Sequence, residues 1–496
     1  MRVAEVEAFA VANPPPSFGG TYFTLVKVTA DDGTVGWGEA YGATFRPRVM
    51  TAAIEDLADQ FLVGHDPMHI ESFWRRCYGR GFTQRPDVTV MAATSALEMA
   101  CWDLTGKRLE QPVHALLGGR VHESLRTYTY LYPEPGDRTD VYLDPDLAAE
   151  RALEEVERGF TAVKFDPAGP YTAMGGHQPS LDRAELSAEF LERIRSAVGT
   201  RADLLFGTHG QFTPSGAARL ARRLEAFDPL WFEEPVPPDD VEGMATVARS
   251  TSIPIAAGER LTTRYEFARL LERRAAGILQ LNSGRCGGIS EGRKIATMAE
   301  AFGAQIAPHC YNGPVGLAAN AAIAITSPNF LILETIRDCG GFHAELLIEP
   351  HDWRNGRLHL SDRPGLGVEV NEAVVRANPY TGDGLHLSMA PDPIDVADPY
   401  RRDLDYDSAP GSQPAFDVSE EVGTIVSQEK DLATTTYRRT CKQVRRQCEV
   451  LAEEPDINIA RISVQVRSQG GFREPCLPKH LDITRVASEP ADLLPL

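Results

Sequence analysis

The chain has 496 residues, 43% of them hydrophobic, and a formal net charge of −20 at pH 7. This length is long for one domain and suits two or three, with enough apolar residues for a sizeable core. The acidic balance argues against nucleic acid and anionic membrane as partners, because both repel a strongly negative chain.

The eight cysteines are scattered along the sequence and form no Cys-x-x-Cys pair. This pattern favours free thiols in a reducing cytoplasm over a disulfide framework or a zinc site. The first residues lack the basic-then-apolar pattern of a secretory signal, and no window approaches about eighteen consecutive apolar residues. We therefore expect a cytoplasmic protein without a membrane span.

The apolar pattern of residues 1 to 125 predicts an α+β domain. Apolar patterning indicates strands over residues 3–11, 22–29 and 35–40, and helical spacing indicates helices over residues 47–62, 70–76 and 88–108. Two loops rich in glycine and proline, residues 13–20 and 79–86, interrupt this domain. They are interpreted either as ordinary surface connections or as lids over a neighbouring site.

Residues 126 to 338 repeat one unit, a short apolar strand that ends in polar residues and precedes a helical segment. The strands are predicted at residues 161–166, 204–209, 229–235, 253–259, 277–282, 304–309 and 330–334. Their polar ends lie about 25 residues apart, the length of a strand with its crossover helix. Seven or eight such units predict an α/β fold, a (β/α) barrel of the TIM type, with its chemistry at the C-terminal strand ends. An open doubly wound sheet is the alternative, but its glycine-rich phosphate turn is not present.

The rest of the sequence divides in two. Residues 339 to 385 are predicted to return and pack on the first domain. Residues 386 to 496 shift towards proline, aspartate and serine, which predicts a C-terminal extension that is partly disordered. No function is predicted for this extension.

Glu233 and Glu259 end two neighbouring predicted strands, so their carboxylates are expected at one mouth of the barrel. Two carboxylates with a third oxygen ligand suit Mg²⁺, a hard cation that keeps several waters for a substrate to displace. The residues themselves therefore predict a magnesium site.

Several short motifs stand out along residues 1 to 385: Trp37-Gly38-Glu39, residues 96–107, Leu117-Gly118-Gly119, Phe232 to Pro235, Gly258-Glu259, Gly287-Gly288 and His309. Together they resemble the enolase superfamily, and within it the mandelate racemase-like branch that includes galactonate and mannonate dehydratases. The resemblance implies a capping domain on a barrel and one Mg²⁺ held by acids of the third, fourth and fifth strands. It also implies removal of the proton α to a carboxylate, which a side-chain base achieves only when a cation neutralises the developing charge.

The resemblance assigns roles to individual residues. Glu233 and Glu259 match the fourth- and fifth-strand metal ligands, and His309 matches the general base of the seventh strand. His209 matches the acid that protonates the departing hydroxyl in dehydratases. Glu334 matches an eighth-strand acid that hydrogen-bonds the substrate carboxylate when it is protonated.

Two positions depart from the family pattern. Gly207 stands where the third-strand aspartate ligand is expected, and glycine offers no side chain to a metal. Asn282 stands where an aspartate orients the base histidine. Asparagine can hold the imidazole of His309 by a hydrogen bond, but it lacks the charge that stabilises an imidazolium, which predicts a weaker base.

Asp166 ends the second strand two residues after Lys164, where racemase-type relatives carry a second lysine. We expect Asp166 to supply the missing third carboxylate from this neighbouring strand. His209 is the alternative ligand, and loss of both metal and activity is the third interpretation. Lys164 is expected to serve as a base or to bind the substrate carboxylate. Pairing with Asp166 would keep it charged, which disfavours a two-base racemase.

These residues predict a Mg²⁺-dependent dehydratase of a sugar acid, an aldonate or aldarate, that yields a 2-keto-3-deoxy acid. An epimerase or cycloisomerase of a similar acid is the alternative within enzymes. A catalytically silent relative that binds a sugar acid is the alternative outside them. A small sugar acid is the expected partner, and the chain is expected to form a homo-oligomer.

Overall fold

The computed structural model of the chain describes residues 1–42, 45–82, 84–169 and 171–391. These residues belong to one compact unit that contains a small antiparallel sheet with helices and a larger sheet of mainly parallel strands. The predicted C-terminal extension lies outside them from residue 392 onward. No helix in the described part is long and apolar enough to span a membrane.

The strands of the described residues are β1 (Val3–Ala12), β2 (Tyr22–Ala30), β3 (Val35–Ala40), β4 (Leu125–Tyr130), β5 (Ala162–Phe165), β6 (Asp203–Gly207), β7 (Trp231–Glu233), β8 (Ile255–Ala257), β9 (Ile278–Leu279), β10 (Gln305–Ile306), β11 (Leu333–Glu334), β12 (Asp352–Arg354) and β13 (Arg357–His359).

The helices of the same residues are α1 (Pro47–Phe61), α2 (Ile70–Gly79), α3 (Val88–Arg108), α4 (Val113–Leu116), α5 (Pro145–Arg158), α6 (Leu181–Val198), α7 (Pro214–Leu224), α8 (Val241–Ser250), α9 (Thr263–Arg273), α10 (Ile289–Ala301), α11 (Pro314–Ile325), α12 (Phe342–Glu345) and α13 (Glu372–Ala377). One 3-10 turn, Glu225–Phe227, follows α7 directly.

The N-terminal cap is an antiparallel sheet of β1, β2 and β3 in sequence order, covered by α1 to α3. Asp87 caps the N-terminus of helix α3, and its carboxylate accepts hydrogen bonds from the backbone N–H groups of Thr89 and Val90. The helix packs on β3 so closely that a Cβ on Gly38 would lie 1.8 Å from the carbonyl oxygen of Ala96. Glycine at this position therefore sets the distance between helix and sheet.

The barrel is a run of parallel strands from β4 to β10, and β11 closes it by pairing with β4. One apolar cluster fills its interior with a residue from each of the eight strands or their immediate ends: Tyr128, Ala162, Leu205, Trp231, Ala256, Ile278, Ala307 and Ile332. Large and small side chains are mixed in this cluster, as they must be to fill a closed barrel. The predicted fold class, a TIM-type barrel with an α+β cap, is confirmed.

Two glutamates of the cap bind barrel helices at their N-termini. Glu98 of α3 accepts hydrogen bonds from the backbone N–H groups of Ile289 and Ser290 at the start of α10. Glu39 of β3 accepts hydrogen bonds from the N–H groups of Gly313 and Gly316 at the start of α11. Because the first N–H groups of a helix have no partner within it, each carboxylate satisfies a helix end of the neighbouring domain.

The chain continues to pack beyond residue 385, where the predicted return segment ends. The His386 ring is buried and lies edge-on to the rings of Tyr22 and Tyr41. Ala390 exchanges backbone hydrogen bonds with Tyr171 and Ala173. The ordered contacts of the described residues therefore reach at least residue 390, and the predicted domain boundaries stay predictions.

Candidate active site

The residues predicted for the site meet at the C-terminal ends of the barrel strands. Lys164 and Asp166 come from the end of β5, and His209 follows β6. The remaining residues end or follow β7 to β11 in turn: Glu233, Glu259, Asn282, His309 and Glu334. The structure brings all eight side chains together. The sequence therefore indicates which residues meet at the site, but not which of them form ion pairs or hydrogen bonds with one another.

Glu233, the last residue of β7, accepts hydrogen bonds on both carboxylate oxygens. The Lys164 ammonium lies 2.5 Å from Oε1, and Trp231 Nε1 and Gln280 Nε2 donate to Oε2 at 3.0 and 2.7 Å. Burial alone would lower the pKa of Lys164, but Glu233 and three further carboxylates raise it above its usual range. Lys164 is therefore charged, and its close partner is Glu233, whereas the sequence predicted Asp166.

The Glu259 carboxylate lies between two imidazoles. His209 Nε2 is 3.5 Å from Oε1, and His309 Nε2 is 3.5 Å from Oε2. Burial would raise the pKa of Glu259, but the positive charges around it, those of Lys164 and Arg260 among them, lower it below its usual range. Glu259 is therefore an ionised carboxylate with an imidazole on each side.

Asp166 fills the space that a side chain at position 207 would need. A Cβ placed on Gly207 would lie 1.9 Å from Asp166 Oδ1. The same carboxylate accepts a hydrogen bond from the Tyr130 hydroxyl at 3.2 Å, and its Oδ2 lies 3.3 Å from His209 Nδ1. The carboxylate at 166 and the missing side chain at 207 are therefore complementary in space.

Asn282 holds the imidazole of His309 in a defined way. The Gly284 N–H donates to Asn282 Oδ1 at 2.7 Å, which leaves the amide Nδ2 facing His309 Nδ1 at 2.8 Å. Burial lowers the pKa of His309 to about 3, although the nearby Glu259 opposes this shift. Burial therefore favours the neutral ring, and the weaker base expected from Asn282 stays a prediction.

Glu334 is the buried acid at the end of β11. Its Oε2 accepts a hydrogen bond from the Cys310 N–H at 2.6 Å and lies 3.7 Å from His309 Nε2. Burial raises the pKa of Glu334 to about 7, although Lys164 and the Cys310 N–H oppose the shift. Near neutral pH a large fraction of Glu334 therefore carries a proton that it can donate to a substrate carboxylate.

The charge balance of the group fits a divalent cation. Four buried carboxylates, those of Asp166, Glu233, Glu259 and Glu334, act on the single ammonium of Lys164. Three of their oxygens, Asp166 Oδ1, Glu259 Oε2 and Glu334 Oε1, have no hydrogen-bond partner within the described ranges. Buried carboxylate oxygens without donors are the ligands that hard divalent cations prefer, so the residues fit such an ion.

Among the described residues, His209, Glu233 and Glu259 form a group that could hold a metal ion. One ligand atom from each lies within 4.8 Å of the others. Asp166, the predicted third ligand, is not part of this group and contacts His209 and Tyr130 instead. Its role as a ligand stays a prediction.

Three residues of the site were not predicted from the sequence. Gln280 lies two residues before Asn282, and alternation along the strand could have placed both on one face. Tyr130 belongs to β4, a strand that the sequence analysis did not delineate. Tyr41 follows β3 of the cap; its ring lies 5.1 Å from that of His309, so the cap reaches the site.

A parallel barrel with acids, a lysine and two imidazoles at its strand ends carries the side chains that proton-transfer enzymes use. Residues 11–118 match the N-terminal domain of the mandelate racemase/muconate lactonizing enzyme family, and residues 147–374 match the enolase C-terminal domain-like family. The chain therefore belongs to the mandelate racemase-like branch of the enolase superfamily.

Relatives with known names agree with this membership. D-galactonate dehydratase of Verminephrobacter eiseniae is 34% identical over 76% of this chain and 94% of its own length. D-xylonate dehydratase of Haloferax volcanii is 34% identical over 74% of this chain and 88% of its own. A solved structure from Labrenzia alexandrii, a candidate mandelate racemase/muconate lactonizing enzyme, is 59% identical with a TM-score of 0.77. It matches 79% of this chain and 100% of its own.

Proposed function

We propose that the protein is a sugar-acid dehydratase, a carbon–oxygen lyase that converts an aldonate or aldarate to a 2-keto-3-deoxy acid. The names of the dehydratase relatives support this reaction class. The observation that carries the proposal is the Glu259 carboxylate with His209 and His309 on its two oxygens. Dehydration removes one proton and supplies one to the departing hydroxyl, so it needs a base and an acid within reach of one substrate, and imidazoles can fill both roles.

Mg²⁺ is the ion that we propose for this site, held by Glu233 and Glu259. When bound, it would neutralise the negative charge that develops on the substrate carboxylate as the α-proton leaves. Mg²⁺ keeps waters and substrate oxygens among its ligands, so two protein carboxylates are sufficient to hold it.

Lys164 and Glu334 are proposed to bind the substrate carboxylate. Lys164 offers a fixed positive charge, and protonated Glu334 offers a hydrogen-bond donor. The fixed charge also bears on the epimerase alternative, because epimerisation by two bases needs a neutral base on each face of the substrate. The ion pair with Glu233 withholds Lys164 from that role, which favours dehydration.

Incubation with a panel of aldonates and aldarates in the presence of Mg²⁺, followed by semicarbazide detection of 2-keto acids, tests the proposal. We expect product from at least one acid with the wild-type protein and none with Glu259→Gln. The matched control is Glu242→Gln on the outer face of α8, an exposed side chain paired with Arg273. It should turn over at the wild-type rate. A folded, Mg²⁺-loaded wild-type protein that yields no product from any acid would refute the proposal.

The cytoplasmic location and the homo-oligomer stay predictions. The five cysteines of the described part, Cys77, Cys101, Cys286, Cys310 and Cys339, are buried free thiols, which supports a reducing compartment. Size-exclusion chromatography with light scattering would measure the oligomeric state.

A further inference from the structure

We propose that residues 385–391, here called the C-terminal strap, close the mouth of the barrel over the bound sugar acid and determine how long an acid the pocket accepts. This inference rests on the proposed dehydratase function and extends it from the reaction class to the size of the substrate. His386 is a positioning residue, because it acts through the tyrosines that it contacts, and Ala390 ties the strap to the barrel.

The chain that leads into the strap is attached to the cap. The Tyr380 N–H donates to the carbonyl oxygen of Ala10 at the edge of the cap sheet, at 2.8 Å. The hydroxyl of Thr21 then donates to the carbonyl oxygen of Leu385 at 3.5 Å. The first residue of the strap therefore lies against the cap, directly after the loop of residues 13–20.

The buried ring of His386 lies edge-on to three tyrosine rings. The ring centroids of Tyr22, Tyr41 and Tyr311 lie 5.3, 5.6 and 6.0 Å from that of His386. Tyr22 and Tyr41 belong to the cap, whereas Tyr311 follows His309 by two residues in the barrel. His386 is therefore the point at which strap, cap and barrel meet.

Gly20 leaves the space that the His386 ring occupies. A Cβ on Gly20 would lie 1.9 Å from His386 Cε1, and the φ of +110° at this residue also favours glycine. The side-chain amide of Asn13 donates to the carbonyl oxygen of Gly20 at 2.7 Å and so holds the end of the loop in place. The loop of residues 13–20 and the strap therefore form one continuous wall.

The other end of the strap is tied to the barrel. The Ala390 N–H donates to the carbonyl oxygen of Tyr171, and the Ala173 N–H donates to that of Ala390, both at 2.9 Å. The Tyr171 ring lies 4.7 Å from the ring of His209. At the first end of the strap, the Tyr41 ring that His386 contacts lies 5.1 Å from the ring of His309. The strap therefore runs from the surroundings of one site imidazole to those of the other.

The length of the strap determines its path. Tyr311 follows β10 and Tyr171 follows β5, and these strands are three apart around the barrel in the order β5, β4, β11, β10. The four residues from His386 to Ala390 reach at most about 14 Å. A path around the outside of the barrel would have to pass helices about 10 Å wide. The strap therefore crosses directly over the mouth.

A wall in this place meets the far end of a bound acid. The proposed ligands of the substrate carboxylate, Lys164 and Glu334, lie at the strand ends, so the carbons beyond the reacting pair extend towards the cap and the strap. Because binding pockets enclose most of the surface of a small ligand, these carbons pack against the wall. An acid that is too long would displace the strap, and a shorter one would leave contacts unmade. One carbon more or less should therefore change the affinity by about tenfold or more.

Isothermal titration calorimetry with 3-deoxyaldonates of four, five and six carbons tests this selection in the full-length, Mg²⁺-loaded protein. These acids lack the β-hydroxyl and cannot be dehydrated, so the heat reports binding alone. We expect the wild type to prefer one length by about tenfold or more. In His386→Ala and in Ala390→Pro, which lacks the N–H that donates to Tyr171, the preference should fall to about threefold or less.

Asp383→Asn is the matched control. Asp383 lies two residues before the strap, and its exposed carboxylate is 3.6 Å from Arg46 on the surface. The variant should keep the wild-type preference for chain length, because an exposed ion pair contributes little.

Hydrogen exchange measured by mass spectrometry tests the tie to the barrel without any acid. The Ala173 N–H should exchange slowly in the wild type, where it donates to Ala390, and faster in Ala390→Pro. Unchanged exchange at Ala173 in this variant would show that Ala390 does not hold the strap and would overturn the inference.

The outcomes separate this inference from the proposed function. Equal weakening of all three acids in both strap variants would give the strap a purely structural role and overturn the inference. A wild type that dehydrates an aldonate but prefers no chain length would overturn it too and leave the dehydratase standing. A wild type that binds the 3-deoxy acids but dehydrates no aldonate would refute the proposed function, and the affinity ratios would still decide the role of the strap. His386→Asn replaces His386→Ala if that variant does not fold.

Discussion

Gly207 and Asp166 show how a carboxylate from one strand can occupy the space of a side chain on the neighbouring strand. The carboxylate of Asp166 lies where the side chain at 207 would begin, and both residues are buried. A sequence reveals the missing acid at 207 and the unexpected acid at 166, but not that they compete for one volume. That relation depends on the adjacency of β5 and β6, which only the folded barrel supplies.

Gly207→Ala should destabilise the protein, because its Cβ would overlap Asp166 Oδ1 and force the carboxylate to move. We expect a loss of about 1–3 kcal/mol in the free energy of unfolding, the usual cost of overpacking a buried site. In an Asp166→Ala background the same substitution should cost much less. Urea unfolding of the wild type, both single variants and the double variant measures this coupling, and additive costs would contradict it.

The chemistry of the site was predictable in part. Glu233, Glu259 and His309 stand at strand ends with regular spacing, so their convergence follows from the repeat alone. The partner of Lys164 was predicted as Asp166, and the structure pairs it with Glu233 because ion pairs form through space between strands. The orientation of the Asn282 amide depends on a backbone N–H two residues later, which no spacing rule indicates.

At the scale of elements, the two cap glutamates join the domains through helix ends. Glu98 serves α10 and Glu39 serves α11, and these helices follow the strand ends that carry Asn282 and His309. Burial raises the pKa of each carboxyl to about 7, although their backbone hydrogen bonds oppose the shift. The two carboxyls that link the cap to the barrel therefore have pKa values near neutral pH.

The raised pKa of Glu98 predicts a pH dependence of stability. Its ordinary pKa is 4.5 and its folded pKa is about 7, so between these values the folded protein holds a proton that the unfolded chain releases. The free energy of unfolding should therefore fall as the pH rises from about 4.5 to about 7, by on the order of 1–3 kcal/mol.

Urea unfolding between pH 5 and pH 8 measures this slope in the wild type and in Glu98→Gln. The variant should show a smaller slope, with a remainder from Glu39, whereas the exposed Glu242→Gln should behave as the wild type does. An unchanged slope in Glu98→Gln would show that Glu98 does not titrate in this range.

Most elements followed from local patterns, and the exceptions have physical reasons. The cap strands and the barrel helices were predicted because apolar residues repeat with the periods of strands and helices. Strand β4 was not delineated, since its sequence Leu125–Tyr130 alternates threonine and tyrosine rather than forming an apolar run. The hairpin of β12 and β13 is short and largely exposed, and it is held by pairing with β4, so local patterns indicate it poorly.

At the scale of the whole molecule, the shared fold ends well before the C-terminus. The family match ends at residue 374, and 79% of this chain is enough to match the Labrenzia alexandrii structure over its full length. The residues beyond 391 lie outside the described part, so the fold accounts for the cap and the barrel alone.

Deletion of residues 413–496 should leave thermal unfolding and dehydration unchanged, because the relatives complete this fold without an equivalent length of chain. Deletion from residue 386 is the matched comparison and should lower the Tm. It removes the buried His386 ring and the hydrogen bonds of Ala390 with Tyr171 and Ala173. Equal effects of the two deletions would contradict this account.

The bonds that Glu39 and Glu98 make across the domain boundary restrict how this enzyme could be rebuilt. A cap grafted from another barrel would leave four backbone N–H groups at the starts of α10 and α11 without partners unless it also brought both acids. Chimeras designed for new substrates should therefore retain the two glutamates as fixed anchors.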